Sequence, residues 1–320
     1  MSVRALVWKR DHLLLLDQRV LPHQEVWLEL RTHEQVATAI RDMTVRGAPA
    51  IGIAAAYGMA LAVRNGVDLE SAKALLAASR PTAVNLFWAL DRISQVAWNF
   101  ESVEAEAIEI EREDLEMNLA IGEHGAALIP PGANILTICN TGALATAGHG
   151  TALGVIRTAH SQQKGIHVWT CETRPRQQGL RLTAYELLKE GIPFHSIADG
   201  VVASLMRAGK VTCAIAGADR IAANGDSANK IGTCMVAVVA RHFGVPFYIA
   251  APSSTLDPKL AHGDLIPIEE RSASELNEIE GVPVAPAGTP VFNPAFDVTP
   301  GSLIDAIITE KGVFRPPYSF

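Results

Sequence analysis

The stretch Thr137-Ile138-Cys139-Asn140-Thr141-Gly142-Ala143-Leu144-Ala145-Thr146-Ala147-Gly148-His149-Gly150 decides the fold. An apolar run, residues 133–138, ends abruptly in a cysteine, an asparagine and a loop of small residues. An alanine-rich run, 146–164, follows and suits a helix. That is the pattern of a buried parallel strand opening toward a helix N-terminus, where anions and reacting groups collect in α/β folds. Cys139 is therefore a candidate catalytic residue at the carboxyl end of that strand. On periodicity alone it also fits an inert buried thiol, and both readings stand at this point.

Downstream, apolar runs recur at 166–171, 192–197, 211–217 and 245–250, separated by helix-compatible stretches at 180–190, 201–208 and 229–243. Such alternation predicts a doubly wound, mostly parallel sheet. The runs are apolar on both faces, as expected when helices cover both sides. Residues 267–300 read as a long ordered loop and 303–309 as a last short helix. Upstream, short runs at 3–8, 12–17 and 25–30 predict a small antiparallel sheet. Thr32 and Gln35 form a capping box opening a helix to about residue 43, and Pro49 sits near the start of a helical run reaching 62. Helices are also predicted over 69–79 and 83–100. Residues 101–116 hold eight carboxylates and one arginine, Arg112, and read as a long solvated helix leading into the second domain. The fold class is α/β: an N-terminal domain over residues 1–122, a short antiparallel sheet plus helices, and a Rossmann-like domain over residues 123–320.

A chain of 320 residues with 48% hydrophobic and 19% charged residues matches a soluble globular protein. A net charge of −7 argues against general binding to nucleic acid or anionic membranes, though a few local arginines and lysines still serve one phosphate. No apolar stretch is long enough for a membrane span or a signal segment, so a cytoplasmic location is expected. The four cysteines, Cys139, Cys171, Cys213 and Cys234, form no CxxC pair and match no zinc-ribbon spacing. Neither a GxGxxG after the first strand of the second domain nor a GxxxxGK[ST] is present, which counts against dinucleotide and P-loop readings.

Chemistry in such a sheet concentrates at strand carboxyl ends. Those ends carry Cys139-Asn140, Cys171-Glu172-Thr173-Arg174-Pro175, Ala198-Asp199-Gly200 and Gly217-Ala218-Asp219-Arg220. Asp219 suits general acid or base work, or else caps a turn. Asn224-Gly225 marks a tight turn, and Asn229-Lys230-Ile231-Gly232 opens the next helix, where Lys230 reaches an anionic ligand or simply solvent. Arg46, beside the free backbone of Gly47 and Ala48, is an anion-binding candidate, and Arg80 before Pro81 is a second. Each also reads as a surface arginine. His149 lacks a Cys–His–Asn partner set, so a thiol hydrolase is not predicted.

Seven motifs, in order along nearly the whole chain, resemble the methylthioribose-1-phosphate isomerase family: residues 46–52, 79–86, 137–140, 171–175, 217–222, 229–233 and 291–297. That family is related to regulatory subunits of the eukaryotic initiation-factor exchange complex and to archaeal ribose-1,5-bisphosphate isomerase. The resemblance implies a homodimer that isomerises 5-methylthioribose 1-phosphate to 5-methylthioribulose 1-phosphate in methionine salvage, without metal or nucleotide cofactor. It implies Cys139 and Asp219 as the catalytic pair and Arg46, Gly47, Ala48, Arg80, Gln178, Asn229 and Lys230 as substrate-binding positions. An isomerase for a related sugar phosphate and a non-catalytic regulatory subunit are the alternatives.

Overall fold

The computed structural model describes residues 3–81, 83–318 and 320; Thr82, within the 79–86 motif, lies outside them. By internal packing the chain divides into two units, one of residues up to Ala120 with Asn140–Gly154, the other of Ile121–Cys139 with Val155–Phe320.

The first unit begins with strands β1 (Leu6–Trp8), β2 (Leu13–Leu16) and β3 (Trp27–Leu30), an antiparallel sheet in that order. Helix α1 (His33–Arg41) opens on the predicted capping box: the Thr32 hydroxyl accepts from the Gln35 N–H, and the Gln35 side chain accepts from the Thr32 N–H. Helix α2 (Ala48–Arg64) has Pro49 in its first turn and a run of alanine, isoleucine and glycine buried from Ala50 to Ala62. Its small residues let α1, α3 (Leu69–Ala77) and α4 (Val84–Ile93) close around it, and the core includes Tyr57, Met59, Leu76 and Leu86. The helix predicted over 83–100 ends at Ile93, and a separate helix begins after Asn99, whose side chain accepts from the Ser102 N–H at 2.9 Å.

That successor, α5 (Phe100–Ala126), is less solvated than its charge suggests. Glu106 and Glu113 pair with Arg92, Glu104 accepts from Trp8 Nε1 at 2.8 Å, and Glu111 accepts from the Tyr57 hydroxyl. Asp114 is buried outright, taking the Ala147 N–H at 2.8 Å and the Asn118 side-chain amide at 3.0 Å. Burial pushes its carboxyl up to about 7. An acid whose folded value is raised adds stability that is full at acid pH and is lost as pH rises through that value, here on the order of 4 kcal/mol. Asp114→Asn keeps both acceptor contacts without the charge. Urea unfolding at pH 5 and pH 8 is expected to show a larger fall in stability for the native chain than for the variant, since Asp297 contributes to the fall in both, and equal falls in the two would refute the assignment.

The second unit is built on β4 (Asn134–Thr137), α6 (Ala152–Ser161), β5 (His167–Cys171), α7 (Ala184–Glu190), β6 (Phe194–Ile197), α8 (Val202–Arg207) and β7 (Cys213–Ala216). A hairpin, β8 (Arg220–Ala222) and β9 (Ser227–Lys230), precedes α9 (Thr233–Phe243), β10 (Phe247–Ala250) and β11 (Leu256–Asp257). Then come α10 (Ser274–Asn277), β12 (Glu278–Ile279), β13 (Val282–Pro283), β14 (Phe296–Thr299), β15 (Ala306–Thr309) and β16 (Gly312–Phe314). Seven strands form one sheet in the order β16-β15-β10-β7-β4-β5-β6, all parallel except the edge strand β16. Residues of β7, β10 and β15 are buried throughout, as two covered faces require.

Three expectations are corrected here. Residues 306–309 are strand β15 and not helix, because the buried Ile307 and Ile308 pair in parallel with β10. Asn229 and Lys230 lie on β9, because the Asn224-Gly225 turn returns the chain antiparallel to β8 and the strand also pairs with β14. The helix expected from 146 begins only at Ala152, since Gly148 (φ 145°) and Gly150 (φ 91°) are not helical. Among the described residues no helix is long and apolar enough to cross a membrane.

Candidate active site

In the second unit the chain runs β4 to β5 to β6 toward one edge of the sheet, then returns to β7 and builds β10 and β15 toward the other. The order reverses between β4 and β7, and the carboxyl ends on either side of such a reversal border the crevice where α/β sheets take their ligands. Cys139 lies two residues beyond β4 and Asp219 three beyond β7. The two predicted catalytic residues thus follow neighbouring strands at the switch point.

Cys139 is 6% exposed and sits at φ 67°, a left-handed backbone and not a helix start. Its N–H donates to Thr173 Oγ1 at 2.9 Å, and its carbonyl accepts from Thr183 Oγ1 at 2.7 Å. The Asp219 N–H donates to the Ala228 carbonyl at 2.9 Å. In the β8–β9 register Arg220 stands opposite Ala228, so Asp219 comes level with Asn229. Asn229 is buried and donates through Nδ2 to Thr233 Oγ1 at 2.9 Å, while Lys230 Nζ donates to the Ala295 carbonyl at 2.8 Å over the ring of Phe296. Opposite Asn229 on β14 stands Asp297, whose carboxylate accepts from the N–H groups of Gly232 at 2.8 Å and Cys234 at 3.1 Å. Burial pushes the Asp297 carboxyl up to about 6. Gln178 is buried as well, and its Oε1 has no hydrogen-bond partner among the described residues. A buried acceptor left unpaired is costly in the protein alone and suits a donor on a ligand. Burial raises the thiols of Cys171 and Cys213.

In the first unit Arg46 donates to Asn140 Oδ1 at 2.9 Å and to its carbonyl at 2.8 Å. Asn140 follows Cys139 in the chain. Gly47 caps α2 at φ 93° and ψ 133° with no side-chain hydrogen bond to the first turn. A β-carbon there would come within 2.5 Å of the Ala145 β-carbon, so only glycine fits. The first-turn N–H groups beside Gly47 and Ala48 carry no side-chain cap, and together with the Arg46 guanidinium they offer an anion both charge and donors. The loop after Asn140 is held by Gln18, which donates to the Leu144 carbonyl at 2.8 Å, and by the buried Asp114. Arg80 follows α3 and is partly buried.

Residues 44–316 match the initiation factor 2 subunit family. The chain belongs to that family. Within it, the chain is 53% identical over 337 residues to the methylthioribose-1-phosphate isomerase of Geobacter metallireducens, a match covering 100% of this chain and 97% of the relative. Among solved structures it is similar to the 5-methylthioribose 1-phosphate isomerase of Pyrococcus horikoshii, with 44% identity, a TM-score of 0.92, and 98% and 93% of the two chains covered. It is also similar to a chain named translation initiation factor eIF-2B, subunit delta, from A. fulgidus, with 45% identity, a TM-score of 0.90, and 99% and 97% covered.

Family motifs in the sequence included Thr173 and Asp297 without assigning them a role. Asp199 was noted only as a strand-end residue. Thr183 carried no signal, since a single threonine inside a helical run marks nothing until the backbone it grips is known.

Proposed function

We propose that this chain converts 5-methylthio-α-D-ribose 1-phosphate to 5-methylthio-D-ribulose 1-phosphate, with Cys139 and Asp219 as its catalytic pair. The observation that carries the activity is identity of about half over the full length with relatives named for that isomerase. Arg46, Gly47, Ala48, Arg80, Gln178, Asn229 and Lys230 hold the substrate. The working form is a cytoplasmic homodimer, with residues 123–320 as the catalytic domain.

The chemistry suits this residue set. Phosphate blocks the anomeric oxygen, so the sugar has no free aldehyde and its ring opens only if O4 is protonated as the C1–O4 bond breaks. Asp219 is the acid for that step. Hydrogen then passes from C2 to C1, and the C2 hydroxyl gives up its proton as the ketone forms. In a proton route Cys139 removes the C2 hydrogen, a cis-phosphoenolate forms, and a proton returns to C1. In a hydride route the hydrogen moves with its electron pair, and Cys139 shapes the polarity around it. Arg46 and the α2 N-terminus fix the phosphate and hence the position of C1.

The test is turnover of methylthioribose 1-phosphate by the purified chain in deuterium oxide. Ketose formation is expected, and deuterium at C1 of the product marks the proton route. Unchanged substrate, with ribose 1,5-bisphosphate or 5-deoxyribose 1-phosphate consumed instead, would shift the assignment to that sugar. The A. fulgidus neighbour, named as a translation factor subunit, favours a second reading as a non-catalytic regulatory protein. No turnover of any of these sugars would decide for it.

A further inference from the structure

Cys139 and Thr173 both adopt left-handed backbone, each at φ 67°. For a β-branched residue that conformation is a true outlier, and it persists only where the surroundings over-determine it. They do so here. The Asp199 carboxylate accepts the N–H of Thr173 at 2.9 Å and of Arg174 at 2.8 Å, locking the turn beyond β5. The Thr173 hydroxyl then donates to the Cys171 carbonyl at 3.1 Å and accepts the N–H of Cys139 at 2.9 Å. From the other side the Thr183 hydroxyl donates to the Cys139 carbonyl at 2.7 Å. Both threonines are buried, so water does not compete for these bonds.

We propose that Thr173 and Thr183 are positioning residues that grip the two backbone polar groups of Cys139 and so set the direction in which its thiol leaves the chain. Two buried hydroxyls on one residue's N–H and C=O leave its φ and ψ no freedom. Without them Cys139 relaxes toward the extended conformation of the strand it follows, and its Cα–Cβ bond swings away. Asp199 acts one step further out, through Thr173. The inference rests on the reading of Cys139 as a catalytic residue.

Thr173→Val keeps the shape and the β-branch and removes the hydroxyl, whereas Thr173→Ser keeps the hydroxyl. In the intact chain acting on methylthioribose 1-phosphate, Thr173→Val is expected to lower kcat by about 10²-fold, the cost of a misplacement near 1 Å. KM should move by less than about threefold, because the interaction acts in the chemical step and not in binding. Alkylation of Cys139 by iodoacetamide, read by mass spectrometry of its peptide, should change in rate as well. Thr173→Ser should restore both values. Wild-type kcat in Thr173→Val, or an equal loss in Thr173→Ser, overturns the proposal. If Thr173→Val does not fold, Thr183→Val carries the same expectation, and wild-type kcat there overturns it equally. Cys139→Ser measured alongside separates the two ideas. If that variant turns over normally, the catalytic reading of Cys139 has failed; if it is dead while Thr173→Val is unimpaired, only the positioning has failed.

Discussion

Cys139→Ser and Asp219→Asn are each expected to lower kcat by about 10²–10⁴-fold, the range that a positioned acid or base supplies. Little change in fold should accompany the loss. Serine replaces one heavy atom of a side chain that is 6% exposed, and the polar contacts of Cys139 run through its backbone, which the substitution keeps. Asparagine is isosteric with aspartate, and the main-chain bond from the Asp219 N–H to Ala228 is kept. The unfolding midpoint should therefore stay close to that of the native chain while turnover collapses. The double variant adds a sharper check. Two groups serving one reaction as a unit lose little more together than the worse one loses alone. Wild-type kcat in either single variant removes that residue from the mechanism, and strictly multiplicative losses show two independent contributions.

Gly179→Ala should produce the largest loss of stability. A β-carbon at Gly179 would fall far inside contact distance of the Cys171 carbonyl oxygen and 2.9 Å from both the Cys171 carbonyl carbon and Thr173 Oγ1. Those are main-chain atoms at the end of β5 and a hydroxyl already engaged with Cys139, so neither yields as a flexible side chain does. Forcing the backbone apart costs at least about 3 kcal/mol, the upper part of the overpacking range. The displaced segment begins with the buried Gln178 and continues through the π-helical turn to Thr183. Any folded fraction should therefore also lose turnover. Urea unfolding measures the first effect and steady-state kinetics the second. A change in stability under about 1 kcal/mol would mean that the strand end is softer than close packing allows.

Local chemistry made much of this molecule legible. The capping box at Thr32 and Gln35 was readable because both partners lie within one turn. The strands at 134–137, 213–216 and 247–250 were readable because burial on both faces demands apolar runs, and those at 167–171 and 194–197 because apolar residues bracketed by turns recur at the same spacing. Cys139 and Asp219 stood out because polar groups abruptly end two of those runs. Where pairing with distant chain decides, the reading failed. Ala306–Thr309 is short enough to suit a helix until β10 offers it a parallel edge. Asn229 and Lys230 became strand because β8 and β14 flank them.

By itself, then, the sequence determined the α/β alternation, the family, and the residue types available at the strand ends, because hydrophobic periodicity and turn chemistry act over a few residues. Only the tertiary structure decided that Cys139 stands beside the switch point in a left-handed conformation. The strain there is held by Thr173 and Thr183, hydroxyls 34 and 44 residues away in the chain, and no local pattern encodes a bond made across a sheet.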